Sequence, residues 1–429
     1  MTINIITLGC SKNSVDSEVI AAHYVKRGHE VVFESDSPSD IVLLNTCSFI
    51  LDAKEESIEE IIIQIERKRK GDVGKVFVMG CLAQRYKDDL RKSLPEVDGI
   101  FSFTELPDML SDSRFDLLTY PHRKLTQNAH FAYLKLSEGC DRQCAFCAIP
   151  GIRGKQFSKP IERLVGEANY LVEQGVKEVM LIAQDSTAYG TDIYNRRELE
   201  KLMRELAGVK GLEWIRLHYA YPNDFPLPVL DVMREYDNIC KYIDIPIQHV
   251  SENVLRAMNR PSSPDRMRRL IETIRKKVPG ISIRTTILTG FPTETQQDHE
   301  ELLGFLEEIR FDKLGAFTYS QEEGTPAYSL GDPISEDEKA DRLEEIMDLQ
   351  ENISLEINEK RIGETMKVIV DDVIVDERIN SRLYAGRTQF DSPEVDGMVL
   401  VYAPYELEIG EFYDVKIKDA EEYDLIGEI

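Results

Sequence analysis

The sequence predicts an α/β protein of three parts: an N-terminal doubly wound parallel sheet, a central partial (β/α)6 barrel and a C-terminal small, OB-like β-barrel. Three observations lead to this prediction. Strand-like and helix-like segments alternate at the start of the chain, six further strand-helix units follow, and the final segment contains only short strands. We place the three domains at residues 1–122, 126–358 and 359–429.

Short apolar runs predict the strands of the first domain, at residues 3–8, 41–44 and 75–79. Between the last two runs, isoleucines recur at the spacing of one helical face, at Ile58, Ile61, Ile62 and Ile65. This pattern predicts a helix with these four side chains on one face. Residues 119–128 lack an apolar period and are interpreted as a linker.

The second alternation predicts the strands of the partial barrel, at residues 133–137, 178–183, 214–219, 242–246, 282–289 and 313–320. Amphipathic segments separate them, so the chemistry is expected at the C-terminal ends of the strands. A long polar helix is predicted at residues 335–360. The last domain is predicted to contain strands at residues 365–370, 383–388, 398–401 and 412–418.

The amino-acid composition limits the location and the binding partners that we expect for this protein. The chain has 429 residues, 42% of them hydrophobic, and no apolar run near the ~18 residues of a membrane span. The apolar opening at residues 3–8 is too short for a signal peptide, so we expect a cytoplasmic protein with no membrane partner. With 52 basic and 78 acidic residues the net charge is -26, which disfavours non-specific binding to nucleic acid and favours a basic protein partner.

The densest cysteine motif is Cys140, Cys144 and Cys147, directly after the first predicted barrel strand. Three such thiolates are able to hold three irons of one [4Fe-4S] cluster and leave the fourth iron open. The alternatives are a zinc site or a Cys144/Cys147 redox pair, although no fourth zinc ligand follows at a typical spacing. The C-x3-C-x2-C spacing after a strand resembles the radical S-adenosylmethionine (SAM) superfamily, in which the open iron binds SAM.

Three further cysteines, Cys10, Cys47 and Cys81, each follow the end of a predicted strand. The C-terminal ends of parallel strands open on one crevice in sheets of this type. Glycine precedes Cys10 and Cys81 and permits close approach of the backbone. We therefore predict an auxiliary [4Fe-4S] cluster, the alternative being that each cysteine is a small apolar side chain of the core. Cys240 has no partner cysteine in sequence and is expected to be such a core residue.

Four segments resemble the methylthiotransferase family: residues 7–18 (TLGCSKNSVDSE), 44–50 (LNTCSFI), 79–84 (MGCLAQ) and the Cys140 motif. The resemblance covers essentially the whole chain. It implies an N-terminal domain with the auxiliary cluster, a radical SAM core and a C-terminal TRAM domain that recognises a macromolecular substrate. The implied cofactors are two [4Fe-4S] clusters and SAM, which serves as methyl donor and as radical source.

The resemblance also implies the reaction. One SAM methylates sulfur held at the auxiliary cluster, and a second yields the 5'-deoxyadenosyl radical that abstracts hydrogen from an unactivated C–H bond. An electron donor, such as flavodoxin or ferredoxin, and a sulfur donor are required as partners. An alternative of another class is a non-catalytic, ribosome-associated iron–sulfur adaptor.

Branches of this family modify either tRNA adenosines or an aspartate of small-subunit ribosomal protein 12. Residues 364–429 contain 17 acidic and 6 basic residues, a net charge of -11, which disfavours RNA and favours a basic ribosomal protein. Residues 11–13, 314–326 and 392–397 also resemble the protein-modifying branch. The basic run at residues 67–70 is contrary evidence, which we interpret as a solvated helix end. We predict methylthiolation of the aspartate β-carbon, with tRNA modification as the alternative.

Polar residues near the predicted strand ends are candidates for SAM binding. Gln184 ends the second barrel strand, Gln248 follows the fourth and Arg284 lies on the fifth. By analogy of fold we expect them to contact SAM, the alternative being an internal polar network. Residues 290–294 form a Gly-x-Pro turn expected beside the adenine, and Arg153 is a candidate for pairing with a carboxylate.

Overall fold

The computed structural model describes residues 1–126, 130–374 and 382–429. The helices within these residues are α1 (Ser11–Lys26), α2 (Leu51–Lys70), α3 (Cys81–Ser93), α4 (Leu106–Met109), α5 (Ile149–Arg153), α6 (Ile161–Glu173), α7 (Leu199–Ala207), α8 (Pro228–Glu235), α9 (Glu252–Ala257), α10 (Pro264–Lys277), α11 (Gln296–Ile309) and α12 (Glu336–Glu359). Short 3-10 turns lie at Phe103–Glu105, Ser186–Ala188 and Pro326–Leu330.

The strands are β1 (Thr2–Thr7), β2 (Glu30–Phe33), β3 (Ser39–Thr46), β4 (Val73–Gly80), β5 (Gly99–Ile100), β6 (Phe131–Lys135), β7 (Ser137–Glu138), β8 (Phe157–Ser158), β9 (Glu178–Ile182), β10 (Trp214–Leu217), β11 (Ile239–Asp244), β12 (Ser282–Thr289), β13 (Lys313–Thr318), β14 (Thr365–Ile374), β15 (Arg382–Thr388), β16 (Val399–Ala403), β17 (Phe412–Ala420) and β18 (Leu425–Glu428). They form three main sheets, which correspond to the three parts predicted from the sequence.

The N-terminal sheet is parallel, in the order β2-β1-β3-β4-β5. Helix α1 packs on one face of this sheet, and α2 and α3 pack on the other, so the prediction of a doubly wound unit is confirmed. The predicted helix is α2, and half of its predicted apolar face is buried. Ile61 and Ile65 are buried, whereas Ile58 and Ile62 are 37% and 46% exposed, because the sheet covers a narrower stripe of the helix than the apolar pattern.

The central sheet contains six parallel strands in chain order, from β6 through β9, β10, β11 and β12 to β13. This is the predicted partial (β/α)6 barrel. Its outer face packs against the crossover helices through a large apolar core. Because consecutive strands are neighbours, their C-terminal ends form one open mouth.

The two neighbouring domains pack on the inner face of the open barrel. Met180 and Ile182 of β9 belong to the same apolar cluster as α1. Farther along the sheet, Trp214 and Tyr242 pack against Ile369 of the C-terminal domain. Helix α1 therefore packs against strand β9, and the C-terminal domain packs against strands β10 and β11.

The C-terminal domain is a closed barrel in the order β14-β15-β16-β18-β17. Its closing strand, β18, was not predicted from the sequence, and it pairs with both β16 and β17. The fold class predicted from the sequence is confirmed. The last two positions of the predicted linker at residues 119–128 lie outside the described residues. Among the helices described, none has the length and apolar character needed to cross a membrane.

Candidate active site

The first cysteine motif lies in a loop at the barrel mouth, residues 139–148, between β7 and α5. Gly139 opens this loop with φ +69°, and a Cβ at this position would lie 2.1 Å from the Lys155 carbonyl oxygen. Only glycine fits such a position. Farther along, the Ala145 amide donates to the Met258 carbonyl oxygen at 2.8 Å. The loop therefore contacts the Lys155 backbone at its start and is hydrogen-bonded at Ala145 to the residue that follows helix α9.

The three thiols of this loop lie close enough to influence one another. Burial raises the pKa of Cys140 to about 11, and proximity to Cys144 acts in the same direction. Burial likewise raises the pKa of Cys147 to about 12, again with a contribution from Cys144. Thiols in such surroundings ionise when a metal or cation compensates the charge.

Two arginines supply donors to these sulfurs, and neither was predicted from the sequence. The Arg142 amide donates to Cys140 Sγ at 3.4 Å, and Arg260 Nη1 donates to Cys144 Sγ at 3.4 Å. Both guanidinium groups also stack on the Tyr221 ring, at 4.0 and 4.3 Å from its centroid. Arg142 lies inside the cysteine motif, so its position in the sequence was a signal for its role. Arg260 is 116 residues from Cys144, and no local sequence pattern indicates that the two side chains meet.

The second set of cysteines meets at the end of the N-terminal sheet. Cys10, Cys47 and Cys81 follow β1, β3 and β4, which are neighbours in that sheet. Gly9 has φ +90°, and a Cβ there would lie 2.8 Å from Cys47 Sγ. Burial raises the pKa of Cys47 to about 11, and proximity to Cys81 and Cys10 adds to this shift. The structure therefore brings the three distant thiols into one crevice, which we call the N-terminal cysteine crevice.

A buried polar network connects the two cysteine groups. Arg153 of α5 donates to Asp16 Oδ2 at 2.7 Å, to Glu138 Oε2 at 3.1 Å and to Asn13 Oδ1 at 2.6 Å. Lys135 also pairs with both Asp16 and Glu138. Burial disfavours the charged form of Glu138, but the charges of Lys135 and Arg153 outweigh this effect and lower its pKa to about 2. The predicted pairing of Arg153 with a carboxylate is thus present, between domains.

The three residues predicted to contact SAM, Gln184, Gln248 and Arg284, lie in different surroundings. Gln184 Nε2 donates to Glu138 Oε1 at 3.3 Å, while its Oε1 is buried and, in the residues described, lacks a hydrogen-bond partner. Gln248 adopts φ +69°, and its amide donates to the Thr286 carbonyl oxygen at 2.8 Å. Arg284 lies 3.6 Å from Asp244 and 3.3 Å from Asp396 of the C-terminal domain. The first two side chains lie at the barrel mouth, and Arg284 is engaged by an interdomain carboxylate.

The turn at residues 290–294 is closed by its own glutamate. Glu294 Oε2 accepts hydrogen bonds from the Gly290 amide at 2.6 Å and the Phe291 amide at 3.2 Å. Its other oxygen lies 3.2 Å from Arg342 and 3.7 Å from His299. A helix that follows the barrel therefore holds this turn in place, through a charged cluster with almost no solvent exposure.

The number of thiols in each cysteine group is compatible with a [4Fe-4S] cluster that has one open iron. Across residues 1–126, 130–374 and 382–429, no three His, Cys, Asp or Glu side chains are arranged as ligands of one metal ion. In a [4Fe-4S] site each cysteine sulfur binds a different iron, so the thiols approach different corners of the cluster and do not converge on one ion. Both cysteine groups provide three thiols, and the orphaned Oε1 of Gln184 offers an acceptor beside the barrel mouth.

Comparison with known proteins agrees with this architecture. Residues 134–306 match the radical SAM superfamily, residues 2–102 match uncharacterized protein family UPF0004, and residues 362–429 match the TRAM domain. Among solved structures, radical SAM methyltransferase TsrM from Kitasatospora setae gives a TM-score of 0.56 at 14% identity, over 88% of this chain and 78% of that chain. The cobalamin-dependent SAM radical enzyme OxsB gives 0.51 at 14% identity, over 81% and 56%. These two likenesses concern the fold alone.

The curated relatives are closer. The ribosomal protein uS12 methylthiotransferase RimO of Cytophaga hutchinsonii is 51% identical over 100% of this chain and 97% of its own length. That of Bacteroides thetaiotaomicron is 49% identical over 100% and 98%. A radical SAM core between these flanking domains defines a radical SAM methylthiotransferase, an enzyme that uses SAM and a [4Fe-4S] cluster. Within that class, the chain belongs to the RimO family. The alternative of a non-catalytic adaptor was therefore wrong.

Proposed function

We propose that this enzyme attaches a methylthio group to the β-carbon of an aspartate in small-subunit ribosomal protein uS12. The observation that carries the proposal is the identity of 47–51% over nearly the full chain to relatives named for that substrate. Modification of a tRNA adenosine is the alternative that the experiment below must exclude.

The charge of the C-terminal domain supports a protein substrate. Residues 364–429 have a net charge of -11, and several of their acids are exposed on the barrel surface. The exposed acids between β16 and the end of the chain are Glu406, Glu408, Glu411, Asp414, Asp419, Glu421, Glu422 and Glu428. Such a surface repels phosphates and attracts a basic protein, and it raises the association rate with a basic partner at low salt.

The six cysteines have two proposed roles. Cys140, Cys144 and Cys147 would bind the radical SAM cluster, and Cys10, Cys47 and Cys81 would bind an auxiliary [4Fe-4S] cluster. When bound, these clusters and SAM supply the radical and the methylated sulfur that the insertion into a C–H bond requires. The contacts of Arg142 and Arg260 with Cys140 and Cys144 support the first assignment, since N–H donors stabilise thiolates.

The residues around the barrel mouth would bind and orient SAM. The free acceptor of Gln184 and the left-handed backbone at Gln248 support a role for both in SAM binding. For Arg284, contact with SAM stays a prediction, because its guanidinium already pairs with Asp244 and Asp396. Glu294 would keep the turn at residues 290–294 in position beside the adenine through its bonds to two amides of that turn.

The remaining parts of the proposal follow from the reaction and the substrate. Reduction of the clusters requires an electron donor, such as flavodoxin or ferredoxin, and each turnover consumes sulfur from a sulfur donor. A ribosomal substrate implies that the enzyme acts in the cytoplasm, on uS12 or on the subunit that contains it. We place the domain boundaries at residues 1–122, 126–358 and 359–429.

The deciding experiment compares cells with and without this gene. Mass spectrometry of uS12 and of total tRNA is expected to show loss of the methylthio group from uS12 alone. Complementation with the wild-type gene should restore it, and complementation with a Cys144→Ala gene, expressed to the same level, should not. Loss of a methylthio group from tRNA with uS12 unchanged would contradict the proposal.

A further inference from the structure

Lys12 of helix α1 points away from solvent at the junction of the N-terminal domain and the barrel. It stands two residues after Cys10, and it is 8% exposed. Its Nζ lies 3.4 Å from the centroid of the ring of Tyr219, a residue two positions after the end of strand β10. The ammonium therefore lies between the N-terminal cysteine crevice and the barrel mouth.

Within the described parts of the chain, no carboxylate oxygen lies within 4.0 Å of Lys12 Nζ. The neighbouring cations differ in this respect. Lys135 and Arg153 pair with Asp16 and Glu138, and Arg284 lies 3.6 Å from Asp244. A buried ammonium that contacts only an aromatic face retains part of its desolvation cost, and a bound anion would offset it.

The charge of Lys12 acts on two titratable groups near the ends of adjacent barrel strands. Burial lowers the pKa of His218 well below its usual value, and the charges of Arg216, Arg284 and Lys12 act in the same direction. Burial raises the pKa of Asp244, and the charges of Arg284 and Lys12 oppose that shift. His218 follows β10 and Asp244 ends β11. The charge of Lys12 therefore acts on groups at the C-terminal ends of these two strands.

The backbone of Tyr219, whose ring contacts Lys12, has a strained conformation. Tyr219 has φ +56°, a left-handed backbone that a bulky residue rarely adopts. Two backbone hydrogen bonds maintain it: its amide donates to Asp244 Oδ2 at 3.2 Å, and its carbonyl oxygen accepts from the Ser186 amide at 3.0 Å. Strain of this kind persists where the surrounding structure supports it, and it is concentrated at functional sites.

We propose that Lys12 is a substrate-binding residue that pairs with the side-chain carboxylate of the aspartate to be modified. This inference rests on the proposed function and adds the group that recognises the substrate. The β-carbon of an aspartate is bonded directly to its carboxyl carbon, so an ion pair with Lys12 would hold that carbon between the barrel mouth and Cys10. A primary amide in place of the carboxylate would lose the charge of this pair.

The test measures dissociation constants of the reconstituted, full-length enzyme for purified uS12 and for uS12 with the modified aspartate replaced by asparagine. The enzyme variants are Lys12→Met, which keeps the length of the side chain, and Lys12→Arg, which keeps the charge. The control is Lys26→Met, which removes the same charge from the exposed end of the same helix. Iron content of each variant is measured in parallel.

Wild type and Lys26→Met are expected to bind the aspartate form about 30-fold more tightly than the asparagine form. Lys12→Met should bind both forms equally while its iron content is unchanged, and Lys12→Arg should recover part of the preference. A Lys12→Met enzyme that keeps the wild-type preference overturns the inference. A Lys12→Met enzyme that has lost iron also overturns it, because Lys12 would then support the cysteine crevice.

The outcome for wild type separates this inference from the proposed function. Wild-type enzyme that methylthiolates uS12 without preferring aspartate over asparagine in binding overturns only the role of Lys12. Wild-type enzyme that neither binds nor modifies uS12 overturns the proposed function, and the inference with it.

Discussion

Arg153 and Asp16 form a buried ion pair, 2.7 Å from Nη1 to Oδ2, that connects helix α5 of the barrel to helix α1 of the N-terminal domain. The second oxygen of Asp16 is paired with Lys135 at the start of the barrel. Neither side of this contact is solvated, so the two domains share a charged core as well as an apolar one. Because one cysteine group lies in each of these domains, the position of one group relative to the other depends on this interface.

Replacement of Arg153 by methionine should weaken this interface. The variant leaves Asp16 and Glu138 with one cation in place of two, and loss of one partner of a buried ion pair costs about 3 to 5 kcal/mol. We expect a lower Tm and faster proteolysis between the first two domains. Arg69→Met, which removes an exposed ion pair with Glu96, is the control and should behave as wild type. Equal Tm values for both variants would contradict the prediction.

The two cysteine groups should be separable by mutation. Cys144→Ala should abolish formation of 5'-deoxyadenosine from SAM, because this thiol belongs to the barrel loop. Cys47→Ala should retain 5'-deoxyadenosine formation and lose methylthiolation, because its thiol lies in the N-terminal cysteine crevice. Product analysis by liquid chromatography of anaerobic, reduced enzyme measures both activities. Cys240→Ala, with a buried thiol outside both groups, serves as control. Equal loss of both activities in Cys47→Ala would indicate a structural role only.

Gly9 should be essential for the N-terminal cysteine crevice alone. A methyl group at Gly9 would lie 2.6 Å from Cys47 Cβ and 2.8 Å from its sulfur, whereas at Gly28 it would meet no atom within 4 Å. Both glycines have positive φ, +90° and +81°, so each alanine substitution costs about 1 to 2 kcal/mol of backbone strain. Gly9→Ala is therefore expected to lose the iron of one cluster, and Gly28→Ala to keep it, as measured by iron analysis. Full iron content in Gly9→Ala would refute this expectation.

His299 should make stability depend on pH. Burial favours its neutral form, but hydrogen bonds and charges of Glu294 and Glu345 outweigh this effect and raise its pKa above 6.5. Because the folded pKa exceeds the unfolded one, the contribution is complete below about pH 6.5 and is lost as pH rises through the folded pKa. The difference in Tm between wild type and His299→Gln should therefore shrink as pH increases. His29→Gln, at a histidine with partial exposure, is the control, and a difference that grows with pH would contradict the prediction.

Substrate binding should depend on salt. If the acidic surface of the C-terminal domain steers a basic ribosomal protein, KM for uS12 should rise with ionic strength, because exposed charges are screened beyond about 8 Å at 0.15 M salt. SAM cleavage without uS12 does not involve this surface and should change little, which makes it the internal control. Steady-state kinetics over a series of KCl concentrations provides the measurement. A KM that is constant with salt would count against electrostatic steering.

Local patterns predicted most strands because their apolar runs and helical periods are properties of a few consecutive residues. All six barrel strands and the long helix α12 were recognised in this way, with end points within a few residues of those observed. The sequence analysis did not predict the short strands β2, β5, β8 and β18. A strand of two to four residues is too short to show a clear periodicity.

The sequence by itself determined the order of the elements and the position of each cysteine at a strand end or in one compact motif. Only the tertiary structure decided which distant side chains meet: Arg260 with Cys144 inside the barrel, and Arg284 with Asp396 and Lys12 with Tyr219 across domain boundaries. These contacts join residues more than 100 positions apart. The apolar periodicity of each element that carries them is the same whether or not the contact forms. The two interdomain contacts form when α1 and the C-terminal barrel pack against the central sheet, and no local periodicity encodes that packing.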